Sequence, residues 1–110
     1  MMYIDFSADN KVYKLRLSTR NVVALEKQLG SNPLSIFGNG DTIPTVTTMV
    51  TILHASLQQY NHGISLDDAY DIFDAWLADG HIVTDFIKII LDIYKASGII
   101  SETKEKTEKN

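Results

Sequence analysis

The apolar positions follow two periods along this chain, two residues at the start and roughly 3.6 afterwards. Ile4 and Phe6, with Met2 before them, alternate with Tyr3, Asp5 and Ser7. Tyr13, Leu15 and Leu17 alternate with Lys14 and Arg16. Alternation of this kind is the pattern of a half-buried strand. Between the two runs stands "ADNK", whose Asp and Asn tolerate the backbone angles of a tight turn. The chain therefore opens with a predicted β-hairpin, which is marginal alone and must pack on something apolar.

Helical spacing takes over at Ser18, a residue suited to capping. Val22, Leu25 and Leu29 share one face, and Gly30 can end that helix. "SNPLSIFGNGDTIP" follows, a connection rich in Gly, Asn and Pro. Its Leu34, Ile36 and Phe37 suggest a short helical turn against the core. From Thr45 a second helix carries Val46, Met49, Val50, Leu53, Leu57 and Tyr60 as one stripe, with Gly63 as its stop. Ser65 with Asp68 three positions on resembles a capping box for a third helix. In that helix Leu66, Ala69, Phe73, Trp76 and Leu77 face inward, Asp67, Asp71 and Asp74 face outward, and Gly80 ends it.

The last helix runs from near Ile82 to Ser97 and is apolar around most of its circumference. Only Asp85, Lys88, Asp92 and Lys95 interrupt it, as a narrow ribbon of alternating sign. Such a helix is either the centre of the bundle or part of a subunit interface. The expected fold is α+β, mainly α: an N-terminal β-hairpin followed by a bundle of about four helices. Residues 1–100 form one domain, and 101–110, "SETKEKTEKN", form a charged disordered tail.

Charge changes this picture more than bulk composition does. The net charge is −4. Residues 1–30 hold five basic against three acidic side chains, whereas residues 31–100 hold eight aspartates against two lysines. An acidic body argues against nucleic-acid binding. A basic front on an acidic body permits head-to-tail contact between copies, with the basic hairpin of one meeting Asp67, Asp71 and Asp74 of the next. Cysteine is absent, which excludes disulfides and thiolate metal sites. No basic segment followed by an apolar run opens the chain, and no apolar stretch approaches the roughly 20 residues that span a membrane.

Motifs for chemistry are missing. The aspartates have helical spacing rather than the alternating carboxylates and central glycine of a calcium loop. His54, His62 and His81 lack the spacing of a zinc site, and His62 and His81 sit beside helix-ending glycines, where an imidazole suits the dipole. There is no G-x-S-x-G nucleophile motif, and "FGNGD" neither follows a clear strand nor opens a helix. No catalytic residue, cofactor or metal ligand is expected.

Three stretches carry a resemblance: "KLRLSTRNVVALEKQLGSNPLSIF", "PTVTTMVTILHASLQQYNHGISLDDAYDIFDAWLADGH" and "TDFIKIILDIYKASGII". Over about residues 10–100 the chain resembles the small tail assembly chaperones of long-tailed phages and prophages of Gram-positive bacteria. The resemblance implies short strands followed by helices and a non-enzymatic role. It implies binding to the tape-measure protein, recruitment of tail tube subunits, and self-association as a homo-oligomer. It also implies residence in the host cytoplasm during assembly and absence from the mature virion. The alternative is a small head–tail or tail adaptor that stays in the particle. A helical client needs an apolar face. The candidates are Phe86, Ile89, Ile90, Ile93 and Tyr94 on the last helix, then Ile36, Phe37 and Ile43 in the long connection.

Overall fold

The computed structural model describes residues 2–37 and 43–101. Residues 38–42 of the long connection, and the expected tail apart from Ser101, lie outside the described residues. The element order is the one the periodicity predicts. Strands β1 (Ile4–Ala8) and β2 (Lys11–Leu15) pair antiparallel, and helices α1 (Thr19–Leu29), α2 (Val46–Leu57), α3 (Leu66–Ala78) and α4 (Phe86–Ala96) follow. Short 3-10 turns span Pro33–Phe37 and Val83–Asp85.

The hairpin turn is made by Asp9 and Asn10, both at positive φ (53° and 64°). Two successive left-handed residues give a turn whose twist matches that of the strands, and Asp and Asn are among the few residues that adopt it readily. Ile4 then stands opposite Leu15, and Ala8 opposite Lys11. Phe6, Ala8 and Leu15 are buried, and Ile4 and Tyr13 half-buried, so one face of the hairpin lies on the helices. Met2, expected on that face, is exposed because the ladder begins only at Ile4.

The helix caps follow the local sequence. Ser18 and Asn21 form a reciprocal capping box at α1, and Ser65 and Asp68 form one at α3. Thr45 Oγ1 accepts the Thr48 N–H at 3.1 Å to start α2. Gly30 closes α1 with φ 73°, giving its N–H to Glu26 O. Gly63 does not stop α2, which ends at Leu57; its positive φ serves the α2–α3 connection. Val46, Tyr60 and Leu66, predicted to face the core, are exposed because they stand at or beyond helix ends.

The central helix is α2, not α4. It packs against α1, α3, α4 and β2, and buries Met49, Val50, Ile52, Leu53, Ala55, Ser56 and Leu57. Ser56 is fully buried without cost because its Oγ donates to Leu53 O at 2.9 Å, inside its own helix. Its carbonyl accepts the Arg16 N–H at 2.9 Å, tying the end of β2 to α2. Helix α4 is amphipathic. Phe86, Ile90, Ile93, Tyr94 and Ala96 form its buried face, Ile87, Ile89 and Leu91 its half-buried flanks. Lys88 and Asp92 lie on its outer ribbon and pair at 3.2 Å.

The core is built around four aromatic rings. Phe86 lies 5.2 Å from Phe73, 5.5 Å from Trp76 and 6.0 Å from Phe6, each at a steep angle. These edge-to-face contacts suit the ring quadrupoles and join β1, α3 and α4. At the opposite end of α4, Tyr94 Oη donates to Pro33 O at 2.9 Å. Burial pushes the Tyr94 phenol well above its ordinary range, so it stays a donor. Tyr94→Phe leaves a buried carbonyl without a partner. It is expected to cost about 1–3 kcal/mol in urea denaturation, with little change in the spectrum of the folded state. Ser97 fixes the other crossing, accepting the Leu17 N–H at 2.9 Å and donating to Ile93 O at 2.7 Å.

Candidate functional site

The sequence candidates divide on their burial. Phe86, Ile90, Ile93 and Tyr94 are 0% exposed, so they belong to the core and offer nothing to a client. Ile89, on the flank of α4, is half-buried against that core. Ile36 and Phe37 are half-buried too, and the Phe37 ring meets Tyr94 edge-on at 6.4 Å. Ile43 is 55% exposed and is the one candidate that stands mainly in solvent. Val23, Leu34 and Val46, on α1, the first 3-10 turn and the start of α2, are exposed as well.

Asp67, Asp71 and Asp74 are all exposed on α3, and Asp71 also lines a cleft shared with the hairpin. The basic hairpin and the acidic helix therefore already lie side by side within one chain. The Asp9 N–H donates to Asp79 Oδ2 at 3.0 Å, docking the hairpin turn on the C-terminal end of α3.

Between them opens a cleft of about 540 Å³. The hairpin contributes Lys11 and Tyr13 from β2, with Ala8 and Asp9 at the turn. The α2–α3 connection contributes Asn61, His62 and Ile64. Helix α3 contributes Asp68 and Asp71 as one wall, and Ile72 and Ala75 as an apolar strip. Gln58 holds the connection in place, since its Nε2 donates to both His54 O (3.0 Å) and Ile64 O (2.9 Å). Asn61 accepts the Ile64 N–H through its backbone carbonyl, yet its Nδ2 is buried without a partner.

One carboxyl of the cleft is held by the cap of α3. Asp68 Oδ2 accepts the Ser65 N–H at 3.0 Å, and Ser65 Oγ accepts the Asp68 N–H at 3.0 Å. The backbone bond first, and the hydroxyl second, hold the Asp68 carboxyl below the ordinary aspartate value of 3.8. A carboxyl lowered on folding stabilises the native state above its unfolded pKa, and that contribution fades as pH falls through the lowered value. Asp68→Asn should therefore flatten part of the stability loss below pH 3.8 and leave its slope near neutral pH unchanged, as thermal melts across pH would read.

His81, beside Gly80, packs on α3. Its ring stacks on Trp76 at 4.5 Å and 5°, and its Nδ1 donates to Trp76 O at 3.0 Å, near the carbonyl end of α3. Among the described residues, no three His, Asp or Glu side chains are grouped so as to hold a metal ion. No helix among them is long and apolar enough to cross a membrane. Reasoning from sequence missed Lys11, Tyr13, Asn61, His62 and Ile64 as a group, because β2 and the α2–α3 connection stand far apart in the chain.

No curated protein and no solved structure matches the chain. A family model does match, over residues 7–110: the chain belongs to DUF6096, a family of unknown function.

Proposed function

We propose that this protein is a non-enzymatic assembly chaperone of phage tails, which binds the tape-measure protein and helps to recruit tail tube subunits. The observation that carries the reading is the order of elements. A short antiparallel pair followed by helices is the organisation that the resemblance to tail assembly chaperones implies, and it runs through the same residues. The buried face of α4 does not serve a client; the exposed apolar side chains available are Ile43, Val46 and Leu34. Side chains of this kind, left in solvent, suit the apolar face of a client helix. The protein acts in the host cytoplasm during assembly, as a homo-oligomer, and leaves before the particle is finished.

The test looks for a long, helix-rich tape-measure gene beside this one and co-expresses its product with the chain. The chain should keep that protein soluble and co-purify with it, and should be absent from purified particles. Ile43→Asp should weaken the complex at least tenfold without changing the thermal midpoint of the free chain. Recovery of the chain in purified particles would favour an adaptor retained in the virion. Failure to bind the tape-measure protein would end the chaperone reading.

A further inference from the structure

Two helices carry outer charges that find no partner in their own chain. The buried centre of α1 is Leu25, and on the opposite side Arg20, Val23 and Lys27 are exposed. Helix α3 buries Ala69, Phe73 and Trp76, and exposes Asp67, Tyr70, Asp71 and Asp74. Among the described residues none of these five charges makes an ion pair, whereas Lys88 and Asp92 on α4 pair with each other. Two cations of the hairpin are engaged within the chain. Lys14 Nζ lies over the Tyr3 ring at 4.8 Å, and Arg16 Nη1 donates to Gln59 Oε1 at 3.4 Å. Helices α1 and α3 each pack on α2 and not extensively on one another, so their outer faces do not meet inside one copy.

We propose that copies of this chain associate head to tail, the outer face of α1 on one copy docking on the outer face of α3 on the next. Three features select a second copy as the occupant. The two faces have opposite sign, basic on α1 and acidic on α3. Their spacing is the same: Arg20, Val23 and Lys27 stand at i, i+3 and i+7, and so do Asp67, Tyr70 and Asp74. Laid side by side in the same direction, the helices bring Arg20 to Asp67, Val23 to Tyr70 and Lys27 to Asp74, over two turns or about 10 Å. The middle of the contact is apolar on both sides, with Val23 45% and Tyr70 39% exposed in the single chain. Like charges oppose the pairing of α1 with α1 or of α3 with α3. The contact is therefore heterologous, leaves one free face at each end, and propagates. Glu26 sits about 100° round the helix from Lys27 and stays outside it. Surface ion pairs add little energy each, so their part is to set register and direction, while covering Val23 and Tyr70 supplies the attraction. Two helices of three turns bury less than a standard interface of about 1,600 Å², so growth depends on concentration. The proposal rests on the preceding reading for self-association alone, and its test needs no tape-measure protein.

The test reads the mass of the full chain in solution by light scattering. The mass should rise with concentration at low salt and fall to that of one chain at about 1 M salt, where screening acts within about 3 Å. Arg20→Glu with Lys27→Glu, and separately Asp67→Lys with Asp74→Lys, should each weaken association at least tenfold while circular dichroism stays native. Mixing the two variants should restore it, because the reversed α1 of one then meets the reversed α3 of the other. Asp67→Asn with Asp74→Asn is a milder pair, with the same expected direction, should the lysines disturb the cap of α3. The chain has no cysteine, so Val23→Cys with Tyr70→Cys should give a ladder of disulfide-linked multimers on mild oxidation, and only at low salt. A chain that stays monomeric at millimolar concentration and low salt overturns the proposal, and leaves the chaperone reading to its own co-expression test. Association that survives either charge reversal in a folded protein, or that mixing does not restore, overturns it too.

Discussion

Ile93→Asp is expected to unfold the protein, while Ile43→Asp leaves it folded. Both residues belong to apolar stretches that the sequence alone offers as contact surface. Ile93 lies on the buried face of α4 and is 0% exposed; Ile43 is 55% exposed ahead of α2. An unpaired carboxylate at Ile93 would carry a desolvation penalty of several kcal/mol and would also lose the burial of the isoleucine. A domain of this size holds roughly 5–15 kcal/mol of stability in total, so one such change removes a large share of it. Circular dichroism and urea denaturation decide the matter. A well-folded Ile93→Asp protein that had merely lost self-association would return α4 to the role of an interface.

The second large effect is expected at Phe86. Its ring is fully buried and meets Phe6, Phe73 and Trp76, which come from three different elements. Phe86→Ala should cost about 3–5 kcal/mol, because the transfer energy of the ring is lost and three rigid rings cannot collapse into the space. Phe86→Leu keeps most of the volume and should cost less. Trp76 is the one tryptophan and lies in van der Waals range of the substituted position, so its fluorescence reports the transition directly. The urea midpoint should fall while the slope of the transition stays constant. If the midpoint of Phe86→Ala moved by no more than that of an exposed change such as Val23→Ala, the aromatic cluster would not be the keystone of the fold.

The two variants also explain how far the sequence could be read. The apolar run of α4 is correctly a helix, and its polar ribbon of Lys88, Asp92 and Lys95 is correctly its outer edge. Which neighbour covers the apolar side is a question that periodicity does not answer, since a core face and an interface face have the same spacing. At α2 the sequence shows one apolar stripe among threonines and a serine, and the structure buries more than that stripe. In the structure Ser56 is buried, because a hydroxyl can satisfy itself on the carbonyl three residues back and then behaves as a small packing residue.

By itself the sequence determined the local features: the Asp9–Asn10 turn, the cap at Ser18, the capping box of Ser65, the strand and helix periods, and the order of the elements. These depend on residues within four positions of one another, and so they are written in short stretches of chain. Only the tertiary structure decided that α2 is the centre, that four of the five contact candidates on α4 are core, and that Asp71 lines a cleft shared with the hairpin. It alone made the cleft, in which Lys11 and Tyr13 stand across from Asn61, Asp68 and Asp71. Residues some fifty positions apart meet there because β2 is tied to the end of α2 by Arg16 and Ser56, and the turn to α3 by Asp9 and Asp79. The physical reason is that packing couples distant segments through bonds and buried surface that leave no periodic mark on either one.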